Sequence, residues 1–238
     1  LMRRRDKFDH LVIETTGLAD PAPVIQTFFV DEDMRDRVNL DAVVTVVDAK
    51  HVHAHWDSEE VQEQIAFADV ILLNKTDLVT LEELDQLEKR IRSMNKLTKI
   101  YRTQNSELDM DAVLGIEAFN LTRALEIDPE FLGEDAHQHD ESVFSVAIVE
   151  QGALNPIRLE EWLSFLLQTQ GADIFRMKGI LHIAGDNHRY VCQGVHMLFD
   201  ILPDRLWKQD EVRKNEMVFI GRNLNREQLK KDFLVCMA

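Results

Sequence analysis

Apolar positions along this chain follow two rhythms. In the first half, short solid runs of aliphatic residues alternate with stretches where apolar residues recur every three or four positions. Phe8 to Glu14 predicts a strand ending in Thr15-Thr16-Gly17. Ala19-Asp20-Pro21 then opens a helix, with Asp20 as N-cap, Pro21 at the first helical position, and Val24, Ile25, Phe28 and Phe29 as its apolar face. Asp31 to Arg37 reads as a charged connection. Leu40 to Asp48 predicts a second buried strand, Glu59 to Phe67 a helix, and Val70 to Leu73 a third strand. Leu81, Leu84, Leu87 and Ile91 mark an amphipathic helix over Leu81 to Met94. Lys99 to Tyr101 is a fourth short strand and Met110 to Leu114 a short helix. Strands alternating with helices predict an α/β domain built on a parallel sheet.

The rhythm breaks between Glu126 and Glu141, where seven acids stand with no Lys or Arg. This composition predicts a linker and a domain boundary. Beyond it, Val143 to Val149, Ile180 to Ala184, Tyr190 to Gln193, His196 to Leu202 and Val218 to Gly221 predict strands. Pro156 to Thr169 and Asn225 to Cys236 predict helices. Polar turns such as Gly185-Asp186-Asn187 point to a mostly antiparallel α+β domain. The domains expected are therefore 1–126, an acidic, His-containing linker 127–141, and a smaller α+β domain over 142–238.

Candidate chemistry sits where the third strand ends, at Asn74-Lys75-Thr76-Asp77. In a parallel sheet, residues just beyond the carboxyl ends of the central strands face a ligand crevice. The Asp77 carboxylate can accept two hydrogen bonds from the N1 and N2 edge of guanine, a donor pair that adenine lacks. The Asn74 amide can tie neighbouring loops together, and the Lys75 stem can cover the ring. Glu14-Thr15-Thr16-Gly17 ends another predicted strand. There Glu14 suits a Mg²⁺ held through water, and the Gly17 amide suits a γ-phosphate.

Composition narrows the partners. The net charge of −16, from 43 acids against 27 bases, argues against a nucleic-acid or anionic-membrane binder. No apolar run is long enough to span a bilayer as a helix. Cys192 and Cys236 are too few and too far apart for a disulfide framework, which points to a reducing compartment, the cytoplasm or an organelle. Cys192, inside a strand pattern, reads as core. Arg3-Arg4-Arg5 is followed by no signal-peptide core and reads as an exposed basic helix end.

Three blocks in order carry a family resemblance: Glu14 to Pro21, Asp41 to Ala49, and Ala68 to Asp77. With Arg176-Met177-Lys178-Gly179-Ile180-Leu181, Gln193-Gly194-Val195-His196 and Gly221-Arg222-Asn223-Leu224, the chain closely resembles the CobW-like metallochaperone GTPases over nearly its whole length. The resemblance implies a P-loop-type GTPase domain followed by a smaller α+β domain. It also implies GTP hydrolysis coupled to delivery of a divalent metal, zinc or cobalt, to a client metalloprotein. Glu14 and Gly17 would then form the Mg²⁺ and γ-phosphate switch, and Asn74, Lys75 and Asp77 the guanine site. The partners expected are GTP, the client and, with nucleotide, a second copy of the chain.

Two of the family's motifs are absent from this sequence. It holds no Gly-x-x-x-x-Gly-Lys and no Cys-x-Cys-Cys. Leu1 falls just before the acidic strand end, so the expectation is a GTPase domain cut short at its amino end, binding GTP weakly and hydrolysing it slowly or not at all. His51, His53 and His55 follow Asp48 on the nucleotide face; if extended, alternate residues project together and suit zinc, and otherwise they are a polar loop. His137 and His139, among Glu134, Asp135, Asp140 and Glu141, can gather a divalent cation or simply solvate the linker. A metal-buffering or metalloenzyme-assembly protein without turnover therefore stands beside the GTPase reading.

Overall fold

The structure is a computed structural model that describes residues 7–17, 19–31, 37–119 and 142–238. The expected linker, with His137 and His139, and the Arg3-Arg4-Arg5 triplet lie outside these residues.

The first sheet is parallel, in the order β1-β2-β3, built from Val44–Asp48, Val70–Asn74 and Lys99–Arg102. All five residues of β2 are buried, which explains its unbroken apolar run. The register sets Asp48 beside Asn74 and Leu73 beside Arg102, so the carboxyl ends of the three strands are nearly level. Among the described residues, three helices accompany the sheet: α1 (Ala22–Val30), α2 (Glu59–Phe67) and α3 (Leu81–Met94). Asp20 Oδ1 accepts the Ala22 amide at 2.8 Å, so Asp20 caps α1 although Pro21 occupies the N-cap position. Helix α3 opens with a capping box between Thr80 and Glu83 and buries Leu84, Leu87, Ile91 and Met94. Asn95 closes it. Fully buried, Asn95 donates from Nδ2 to the Ile65, Ala66 and Ala68 carbonyls at 2.8–3.1 Å and accepts the Leu97 amide. It thereby satisfies the carbonyl end of α2. Asn95→Ala should cost roughly 3 kcal/mol, because the Ala66 and Ala68 carbonyls lose the buried amide that serves them while the Ile65 carbonyl keeps only the Ala68 amide; the shift in urea midpoint at constant slope measures it.

The predicted strand over Phe8 to Glu14 does not form. Residues 10–16 are irregular, and Leu11, Val12 and Ile13 are 37%, 73% and 53% exposed. An extended run becomes a strand only by pairing its backbone groups. Among the described residues, β1 pairs only with β2, and nothing pairs with this run.

The second sheet is antiparallel, in the order β4-β8-β5-β6-β7, from Val143–Gln151 (β4), Ile174–His182 (β5), His188–Val195 (β6), Leu198–Leu206 (β7) and Lys214–Arg222 (β8). One face packs on α4 (Pro156–Gln170) and α5 (Arg226–Val235) around Leu163, Met177, Leu181, Phe219 and Phe233. The other joins the first domain's core, where Val143, Phe175, Val218 and Ile220 cluster with Ile65, Phe67, Leu87 and Ile91. Central strands covered on both faces are buried throughout, as β5 and β8 nearly are. At the edge of this junction Gly221 lets β8 pass close to Asp173, whose carbonyl would stand 2.0 Å from any Cβ at that position.

Candidate nucleotide-binding site

The site grows out of the end of β2. Asn74 is buried and its amide is spent on a neighbouring loop: Oδ1 accepts the Ser106 amide at 2.9 Å and the Thr103 hydroxyl at 3.2 Å, and Nδ2 donates to Ser106 Oγ at 3.0 Å. That loop comes directly after β3 and carries Asn105 and Ser106 at φ 53° and 56°. Two successive left-handed residues other than glycine are held only by a strong local constraint, which Asn74 supplies. Lys75 is left-handed too, at φ 62°. Ala49 N–H to the Asn74 carbonyl at 2.9 Å fixes the turn on one side. Thr76, which donates its amide (3.3 Å) and hydroxyl (3.1 Å) to the Thr103 carbonyl, fixes it on the other. Asp77 lies in the next short 3-10 turn and is exposed. Asn74 thus builds the platform, and Asp77 stands on it with its carboxylate open to a ligand.

Asp48, at the end of β1, is drawn into the same turn. Its Oδ2 accepts Lys75 Nζ at 2.6 Å and lies 3.0 Å from His51 Nδ1; its Oδ1 accepts the Lys50 and His51 amides at 3.0 and 3.1 Å. Burial alone would raise this carboxyl, but the hydrogen bonds from Lys75, His51 and the two amides outweigh it and hold it well below the usual carboxylate range. The sequence pattern does not mark Asp48, Thr103 or Ser106 as site residues. The signal available is position: each lies at or just past the carboxyl end of a strand flanking β2.

The Glu14 to Gly17 segment docks elsewhere. Gln64 of α2 donates Nε2 to the Gly17 and Ala19 carbonyls, both at 3.1 Å, and Thr45 Oγ1 ties the Gln64 carbonyl to β1 at 2.8 Å. Glu14 is exposed and irregular rather than at a strand end. Among the described residues other than its chain neighbours, no atom lies within 4 Å of where a Cβ on Gly17 would stand. Next to Gln64, burial first, and then the charges of Asp20, Glu59 and Glu60, push the Glu63 carboxyl up to about 7. The folded state therefore keeps a proton that the unfolded chain releases between 4.5 and about 7, and this contribution to stability is lost as pH rises through that window. Glu63→Gln stays neutral. It should be more stable than the parent above pH 7 and equal to it below 4.5, compared by urea midpoints.

The metal expectations fare differently. Val52–His55 is a 3-10 helix, not an extended run. At three residues per turn, His51, His53 and His55 point about 120° apart around the axis. Val52 is its buried position, and Trp56, directly after it, is buried too. Among the described residues, no group of three or more His, Cys, Asp or Glu side chains is placed to hold a metal. Cys192 and Cys236 are buried, their thiols pushed up by burial to about 12 and about 11, so neither is poised as a thiolate. No described helix is long and apolar enough to cross a membrane.

A parallel sheet flanked by helices, with Asn-Lys-Thr-Asp at a central strand's end and an antiparallel domain behind it, defines a P-loop-GTPase-like nucleotide-binding fold. Residues 1–102 match the model for the CobW/HypB/UreG nucleotide-binding domain, and residues 143–237 that for the cobalamin synthesis protein cobW C-terminal domain. The chain belongs to the CobW family of metallochaperone GTPases. It is 33% identical over 229 residues to the zinc chaperone YjiA of Escherichia coli, covering 95% of this chain and 70% of that protein. It is 32% identical over 263 residues to the zinc-regulated GTPase metalloprotein activator 1 of Schizosaccharomyces pombe, covering 95% of this chain and 63% of that one. The crystal structure of Zn(II)-bound YjiA GTPase from E. coli superposes with a TM-score of 0.82 at 29% identity, covering all of this chain and 74% of that one. The chain thus spans 63–70% of the length of these two curated relatives.

Proposed function

We propose that this chain carries the guanine-recognition site and the client-facing domain of a GTP-dependent metallochaperone that delivers zinc to a client metalloprotein. One observation carries the reading: Asn74 locks the turn after β2 to the Thr103–Ser106 loop while Asp77 is left exposed beside it. A carboxylate on so fixed a platform fits the paired donors of a guanine edge. Residues 1–126 would bind the nucleotide and 142–238 would face the client, joined through the acidic stretch 127–141. Glu14 would hold Mg²⁺ through water. The absence of side-chain crowding at Gly17 among the described residues fits the approach of a phosphate oxygen. The names of the relatives support zinc as the cargo.

The acidic stretch 127–141 with His137 and His139 favours a second reading, a metal-buffering or metalloenzyme-assembly member of the family that keeps the guanine site without significant turnover. Titration of the chain with GDP and ADP, then phosphate release from GTP with and without zinc by the chain extended to its relatives' full length, separates them. Preference for GDP together with zinc-sensitive phosphate release supports the chaperone GTPase. Preference for GDP with no release supports the second reading. Equal affinity for GDP and ADP overturns both.

A further inference from the structure

Asp48 stands apart from the guanine-reading residues, yet its carboxylate reaches the turn they occupy through Lys75. The parallel register sets it beside Asn74, and Oδ2 meets Lys75 Nζ at 2.6 Å. The carboxylate is itself immobilised by the Lys50 and His51 amides and the His51 ring. An ion pair with side chains 31% and 48% exposed adds little to folding. Its effect is to remove the rotational freedom of a long flexible side chain whose backbone is already in a strained left-handed state. A lysine held at both ends presents its methylene stem as a fixed apolar surface, and a purine face can lie against such a surface without first ordering it.

We infer that Asp48 is a positioning residue for guanine-nucleotide binding, acting by fixing Lys75 so that its stem forms a preorganised cover for the base. This rests on the guanine-site reading above. Asp48 reads no atom of the base, so it sets affinity and leaves the choice among purine edges to Asp77.

The test uses the full chain with GDP and IDP, which lacks the exocyclic N2 amine, as probes in calorimetric or NMR titrations. Asp48→Asn keeps the size and the Oδ1 acceptor for the Lys50 and His51 amides, and removes the charge that Lys75 needs. It should weaken GDP and IDP by the same factor, about tenfold, with an unchanged thermal midpoint. Lys75→Met keeps the stem without the charge, and adding Asp48→Asn to it should weaken GDP no further; that non-additivity is what a merely structural role would not produce. Asp48→Glu should recover part of the loss. If Asp48→Asn binds GDP like the parent, or weakens it equally in the Lys75→Met background, while Asp77→Ala loses affinity, the inference fails and the guanine site stands. If Asp77→Ala leaves GDP binding unchanged, the guanine reading fails and takes this inference with it.

Discussion

Asp69→Asn should destabilise the fold by roughly 3–5 kcal/mol, the range for breaking a buried ion pair by removing one partner. Asp69 sits at the entrance of β2, buried, with Oδ2 on the Val43 amide at 2.9 Å. Its Oδ1 takes both Arg176 Nη2 and Lys178 Nζ, the latter at 2.7 Å, from β5 of the other sheet. Arg176 also donates to the Phe67 carbonyl and Lys178 to the Ala118 carbonyl, and both cations lie 5.3 Å from the Phe119 ring centre. One carboxylate thus serves two buried cations across the junction of the domains. Burial first, and the Arg176 charge second, already push Lys178 down to about 8, with Asp69 the group that opposes them. Without Asp69, the group that raises it, Lys178 yields its proton at a still lower pH.

That consequence has a sign. In the variant, between the new, lower Lys178 value and about 8, the folded state has lost a proton that the unfolded state, with its ordinary value of 10.5, still binds. The variant's stability therefore rises with pH in that window while the parent's contribution from Lys178 stays flat. The deficit should narrow toward pH 8, and Asp69→Asn combined with Lys178→Met should recover part of it. Denaturant melts of the three proteins across pH measure both effects. A loss below about 1 kcal/mol, within the range of an exposed pair, would show that the junction is wet and the two domains loosely docked.

The same cluster explains one limit of the sequence. Helices α2 and α3 have the bounds their apolar periodicity predicts. Strand β5 begins at Ile174, six residues before its predicted start at Ile180, because Arg176 and Lys178 look like solvent-facing interruptions. Their partner is more than a hundred residues away, on another sheet, and no local pattern reveals it. Phe8 to Glu14 fails in the opposite way: its pattern permits a strand, but pairing decides whether one forms. Around the conspicuous alternation of histidines, the buried residues Val52 and Trp56 anchor the His51 to His55 stretch as a short 3-10 turn rather than an extended run. In the site, Asn74 and Asp77 are legible because one short run contains both. Asp48, Thr103 and Ser106 join them only through the register of three strands.

On the proposed reading, Asp77→Ala should weaken GDP on the order of 100- to 1,000-fold, the loss of two charge-assisted hydrogen bonds at about 1.5–3 kcal/mol each before the base finds water. The platform should survive, because Asn74, Lys75 and Thr76 make the bonds that hold the turn and Asp77 is exposed. An unchanged thermal midpoint checks this. ADP, which offers no paired donors to a carboxylate, should bind the parent and the variant alike, so the preference for guanine disappears through loss of GDP alone. Asp77→Asn sharpens the test. Its amide replaces one acceptor by a donor, which opposes the guanine N2 amine but matches the oxygen that xanthine carries at the same position. The Asn variant should therefore bind the xanthine nucleotide more tightly than GDP, an inversion that lost folding cannot mimic. Equal losses for guanine and xanthine nucleotides would place Asp77 outside the base site, leaving the Asn74 lock as a device of the fold alone.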